Sequence, residues 1–149
     1  MEAAVLPFTA LICLVTAVIP VVHVEAYLVV VATQVPSWQL PWLVVIAATA
    51  QVAGKVWLFQ AGRDVTGRLF RKYAARREQL RERVAGGPVL RGALVSTSAL
   101  IGLPPFYAVS VLAGSIGIPL PEFVLYGLLG RLVRFGVLVF LPHLFWKAL

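Results

Sequence analysis

Apolar residues run almost unbroken from Ala4 to Val22, close to the roughly 20 residues a helix needs to cross a bilayer. Pro7 falls in the first turn of that run, where a missing N–H is tolerated. Pro20 interrupts its end, His23 and Glu25 follow, and a second apolar stretch covers Ala26 to Val35 before Pro36, Ser37 and Pro41 break the chain. The second stretch is about ten residues, or about 15 Å of helix, half the hydrocarbon thickness. A full-length run followed by a half-length one predicts a bent or re-entrant element broken at Pro20–Glu25. From Trp42 to Gly62 the chain is apolar at full length, interrupted by Gln51 and Lys55. Trp38 and Trp42 mark its start, as interfacial aromatics do.

Polar positions then take over. Val65, Leu69, Tyr73, Leu80 and Val84 recur at three- and four-residue steps with one gap, filled by Arg76 and Arg77. That spacing predicts an amphipathic helix over Asp64 to Val84, stopped by Gly86-Gly87-Pro88. Gly92 to Ile118 is apolar again, but Pro104-Pro105 divide it into fragments of about 12 residues, too short to span. A proline pair removes two backbone donors and extends the residue before it. In lipid, such backbone survives only where protein or a cavity covers it, so a second re-entrant hairpin is expected. Phe123 to Trp146 forms the last full-length apolar run, carrying Arg131 and Arg134, with His143 and Lys147 near its end.

Composition turns this pattern into a choice of solvent. The 149 residues are 60% hydrophobic and 13% charged, with a mean hydropathy of +0.92, against about 45–50% and about 25% in soluble domains. A chain this small has too much surface per volume to hide so many apolar side chains from water, so lipid must solvate much of it. The single Cys13 excludes a disulfide framework. The net charge of +7 is concentrated: nine of the thirteen Lys and Arg residues lie between Arg63 and Arg91, opposed there only by Asp64, Glu78 and Glu82. One basic block between apolar runs follows the positive-inside rule and places the block in the cytoplasm; nucleic-acid binding is not expected. The amphipathic helix either lies on an anionic leaflet or merely connects its neighbours under that rule.

Two blocks resemble each other. Pro41 to Arg63 contains Gln51-Val52-Ala53-Gly54-Lys55 and then Phe59; Pro121 to Leu144 contains Leu128-Leu129-Gly130-Arg131 and then Phe135. The Gly-basic pair and the following Phe align at one offset, and each block follows a proline-broken element. If the second hairpin enters from the cytoplasm and returns there, the last helix runs opposite to Trp42–Gly62. The expected fold is therefore an all-α integral membrane protein. It is an inverted repeat of re-entrant hairpin plus transmembrane helix (about 4–63 and 92–146) joined by a basic cytoplasmic amphipathic helix (64–91), in one membrane domain.

Glu25, Lys55, Arg131 and Arg134 sit in otherwise apolar sequence. Each would cost about 2.5–3.5 kcal/mol at the centre of an inserted helix, so they should pair or face a wet cavity. Glu25 can meet Lys55 or Arg131; Arg134 could instead snorkel to an interface. The alternative to a functional role is an ion pair that only fixes packing. His23, two residues from Glu25, either shares a proton with it or is merely satisfied in place, as a lone His more often is. Glu122 reads as a charge on its helix dipole, and Ser96, Thr97 and Ser98 as packing or hairpin residues. There is no metal-spaced cluster, P-loop or nucleophile–base set in the sequence, so no metal, cofactor or enzymatic activity is expected.

Gly54-Lys55-Val56-Trp57-Leu58-Phe59-Gln60-Ala61-Gly62-Arg63 resembles the "G-[polar]-x-x-x-aromatic-x-x-G-R" segment of the DedA family of membrane proteins (VTT-domain, SNARE-associated Golgi proteins). Leu103-Pro104-Pro105-Phe106 through Ala113-Gly114 resembles that family's second hairpin, Pro121 to Phe135 the helix after it, and Pro20 to Glu25 the first hairpin. The resemblance covers about Ile19 to Val139 and is closest to the short, YqaA-like branch. It implies paired re-entrant hairpins, a multi-pass position in the cell (inner) membrane, and translocation of lipids or lipid-linked phosphate carriers linked to proton motive force. Where the family pattern has Arg after the second-hairpin proline, Tyr107 or a neighbour stands here, and Val21 replaces the Gly after the first-hairpin proline.

The resulting expectation is a lipid transporter, flippase or scramblase whose partner is a membrane lipid or lipid-linked phosphate. Glu25, with His23, would handle a proton or cation; Lys55, Arg131 and Arg134, with Gln51 and Tyr107, would attract the headgroup. Pro20, Pro104 and Pro105 would form the hairpin breaks. The competing expectation is a non-transporting membrane protein that assists assembly or binds a partner. So short a chain encloses little cavity alone, which a homodimer would remedy.

Overall fold

Seven α-helices account for nearly all of the described chain, and each boundary has a local cause. The structure, a computed structural model, describes residues 2–19, 23–64 and 74–148. Helix α1 spans Glu2–Val18. Its last turn closes with the Ile19 N–H donating to the Val15 carbonyl at 3.0 Å, because a proline at position 20 disfavours helix in the residue before it. This corrects the expected full span to Val22: seventeen residues rise only about 25 Å, short of the hydrocarbon thickness. Pro20 itself lies outside the described residues. Helix α2 covers Val24–Gln34, with His23 at its N-cap and Glu25 in its first turn. A 3-10 turn over Ser37–Gln39 leads into α3, Leu40–Asp64.

Helix α4 is Ala74–Ala85. It is the second half of the amphipathic segment; Val65, Leu69 and Tyr73 lie outside the described residues. The chain turns by 112° between α4 and α5, Pro88–Ile101, where Gly86 and Gly87 precede a proline at the first helical turn. Gly102, at φ 83°, ends α5 in the left-handed region and donates its N–H to the Ser98 carbonyl, as a glycine C-cap does. The Pro104-Pro105 break falls where expected, and α6 follows over Phe106–Ile116. Helix α7 is Leu120–Ala148, with Pro142 inside it.

Helices α3 and α7 are long and apolar enough to cross a membrane; at 25 and 29 residues they rise about 37 Å and about 43 Å. Counting α4 with α5 as a bent third span would bury six charged side chains of α4, which hydrocarbon penalises. The protein is thus an all-α membrane protein among its described residues. Along α7, Phe123, Gly127, Arg131, Phe135 and Val139 are buried, while Leu125, Leu129, Val133, Val137 and Leu141 are exposed. Both faces are apolar, and an exposed stripe of that length fits lipid rather than water.

The chain divides into two compact units, Met1–Gly54 with Arg131–Leu149, and Lys55–Gly130. In the first unit, Cys13, Ala17, Leu28, Leu43, Ala47, Phe135 and Val139 are fully buried. Tyr27 on α2 shares a hydrogen bond of 3.0 Å with Thr9 on α1. Gly54 lets α3 close on α1: a side chain there would collide with the Ala17 Cβ and the Leu14 carbonyl oxygen. The second unit has an aromatic centre in which Phe123 stacks on Phe59 at 4.9 Å and on Phe106 at 5.9 Å, surrounded by Val95, Ala99, Ala113 and Ile116. Gly62 and Gly114 bring α3 and α6 into backbone contact, and Gly130 brings α7 onto Ser96 and Ala99 of α5. The buried Ser98 Oγ donates to the Pro104 carbonyl at 2.7 Å, which ties the end of α5 to the break before α6.

Candidate functional site

Glu25 projects from the first turn of α2, where the exposed N–H groups of a helix start favour a carboxylate. Its carboxylate meets two guanidiniums of α7: Arg134 Nη2 at 3.1 Å and Arg131 Nη1 at 3.7 Å. The two arginines are three residues apart and share one helix face. The pairing with Arg131 follows one of the alternatives the sequence left open. Arg134, for which the sequence left an interfacial position open, shares the same carboxylate. The side chains of Arg131, Arg134 and Glu25 are 9%, 25% and 29% exposed, so the cluster is buried at one end and open at the other. Arg131 also lies 5.4 Å above the ring of Phe135, a cation–π contact that desolvation strengthens. One carboxylate against two guanidiniums leaves the ionised cluster with a net single positive charge.

The remaining candidates are dispersed. Gln51 is buried in the first unit, and its amide nitrogen donates to the Cys13 carbonyl at 2.9 Å and to Thr16 Oγ1 at 3.1 Å. Those bonds commit its nitrogen to holding α3 on α1. His23 is exposed at the α2 N-cap and makes no capping hydrogen bond with its side chain. Lys55 belongs to the second unit, buried and engaged. Tyr107 sits half exposed in the first turn of α6, and Pro104 and Pro105 form the exposed tip before it.

Sequence reading missed Arg91. Its guanidinium pairs with Glu122, Nε donating to Oε2 at 2.8 Å and Nη2 to Oε1 at 3.2 Å. This corrects the reading of Glu122 as a dipole charge alone: it also ties the start of α5 to the start of α7. An acidic first turn on one helix and a basic first turn on another was the available signal, but nothing in the sequence paired them. No group of three or more His, Cys, Asp or Glu side chains able to hold a metal ion occurs among the described residues. No family model, curated protein or solved structure matches this chain.

Proposed function

We propose that this chain moves the phosphate-bearing headgroup of a lipid or lipid-linked carrier across the cell membrane, with Glu25, Arg131 and Arg134 as the exchange site. The carrying observation is the cluster itself: one carboxylate at the start of a short helix, held by two arginines of a membrane-length helix and open at one end. Intramembrane charges are costly and tend to mark substrate pathways. In the resting state Glu25 offsets one of the two arginine charges. An arriving phosphate takes its place, since guanidiniums bind carboxylate and phosphate with the same forked geometry. The displaced carboxylate then takes a proton from one side of the membrane and releases it to the other when the headgroup leaves, which couples movement to proton motive force.

An inverted repeat is part of this proposal. Helices α2 and α6 have 11 residues each, and Val24 to Phe106 and Gln34 to Ile116 are both shifts of 82 positions. The glycine contacts repeat as well. Gly54 abuts the Ala17 Cβ and the Leu14 carbonyl, and Gly130 abuts the Ala99 Cβ and the Ser96 carbonyl; Leu14 to Ser96 and Ala17 to Ala99 are again shifts of 82. Lys55 and Arg131 follow those glycines, and both are buried. Paired broken elements of this kind recur in transporters, and the resemblance to DedA proteins points the same way.

The second reading is a non-transporting membrane protein in which the cluster only fixes packing, and the cation–π contact of Arg131 would serve it equally well. The two readings part in a liposome assay with purified protein and a fluorescent anionic phospholipid. Transport predicts faster exchange of that lipid between leaflets than in empty liposomes, and a rate that responds to an imposed pH gradient. Exchange no faster than in empty liposomes would leave only the packing reading.

A further inference from the structure

The transport site uses nothing from α4, yet α4 and α6 enclose a groove of about 400 Å³ in the second unit, within the usual small-ligand range of about 300–1,000 Å³. Its walls are almost wholly apolar, built from Leu80, Ala108 and Leu112 among others; Arg76, Arg77 and Tyr107 also line it but add almost no polar surface inside. Arg77 Nε is shielded from solvent and has no hydrogen-bond partner among the described residues. A buried donor left unpaired is costly. By contrast Arg81, on the same helix, already lies 3.9 Å from Glu78 in the open. Leu80 and Tyr107 are both close to half exposed, so the groove has an open flank.

We infer that this groove binds an anionic phospholipid, with an acyl chain inside it along α6 and the phosphate outside it, beside Arg76 and Arg77. The pairing of chemistries selects the occupant. Two guanidiniums call for a phosphate, and the apolar walls behind them call for hydrocarbon. A nucleic acid or an acidic peptide would satisfy the arginines and leave the walls wet. The six charges of α4 hold it out of the hydrocarbon, while α6 is apolar, so the groove lies where lipid headgroup and chain meet. This site needs lipid around the helices but does not need the chain to be a transporter.

Lipid binding by the full-length protein tests it. Purified protein is titrated with phosphatidylglycerol or phosphatidylcholine of equal chain length, and retained lipid is counted by native mass spectrometry. Phosphatidylglycerol should be preferred. Each basic side chain near an anionic lipid is worth about fivefold in affinity, so Arg76→Gln with Arg77→Gln should weaken binding roughly 20- to 30-fold. Arg63→Gln with Arg81→Gln removes the same charge from the basic block outside the groove and should leave binding within about threefold of native. Ala108→Trp fills the groove without altering charge and should also abolish the preference. Equal losses from the two arginine pairs would show diffuse charge attraction and overturn the proposal. So would native binding by Ala108→Trp, or equal retention of the two lipids. Native-like binding in protein that fails the transport assay would leave this site standing and remove only the transport reading.

Discussion

Glu25 and Arg134 are 109 positions apart in the chain and 3.1 Å apart in space. What the pair does for stability depends on how wet it is. Glu25→Gln keeps a carbonyl acceptor in place, and the carboxylate it replaces is part exposed, so the loss expected is below the about 3–5 kcal/mol of breaking a fully buried pair. Arg131 is the more deeply buried arginine, and Arg131→Gln, which also loses the contact with Phe135, should lower the melting temperature more than Arg134→Gln does. Thermal melts of the three variants in detergent check this order; a larger loss for Arg134→Gln would contradict the burial ranking. At this scale the sequence reveals which residues matter but not whom they meet. Charges in an apolar run stand out by their insertion cost. The choice of Arg131 and Arg134 for Glu25, and of Arg91 for Glu122, depends on helix packing across long stretches of chain, which no local pattern records.

At the scale of elements, helix contacts are set by where side chains are missing. A Cβ at Gly130 would press on the Ala99 Cβ and the Ser96 carbonyl oxygen, and one at Gly54 on the matching atoms of α1. Gly130→Val and Gly54→Val should each cost about 1–3 kcal/mol through overpacking. Gly136 has nothing within 4 Å of the equivalent position, so Gly136→Ala should add about 0.5–1 kcal/mol by reducing backbone freedom. Melting temperatures that fall for all three alike would mean the close approaches are not what holds these helices. The helix breaks were legible because prolines and glycines act locally: Pro36, Gly86-Gly87-Pro88 and Pro104-Pro105 each mark a boundary. The end of α1 was placed too late because apolar residues continue past the last helical turn. On α7 only Arg131 and Arg134 pointed to the buried face; the rest of it was not legible, since lipid and protein interior both select Leu, Val and Phe.

For the whole molecule, charge distribution decides how the chain lies in the membrane. If the positive-inside rule puts the block from Arg63 to Arg91 in the cytoplasm and α7 crosses once, residues near 79 and near 147 should lie on opposite sides. In a Cys13→Ala background, Gln79→Cys and Lys147→Cys should react with an impermeant thiol reagent from opposite sides of sealed vesicles. Labelling of both from one side would refute the inverted arrangement. The membrane character was legible from composition alone; the cluster that gives the chain a candidate activity emerged only when α2 and α7 were placed together. The most direct test of that activity is the leaflet-exchange rate of an anionic fluorescent phospholipid in liposomes carrying Glu25→Gln protein, beside native protein of matched amount and melting temperature. Exchange at the background rate, with the response to a pH gradient gone, is the expected result. Exchange as fast as native would mean that Glu25 moves neither proton nor headgroup, and the account would fail at its centre.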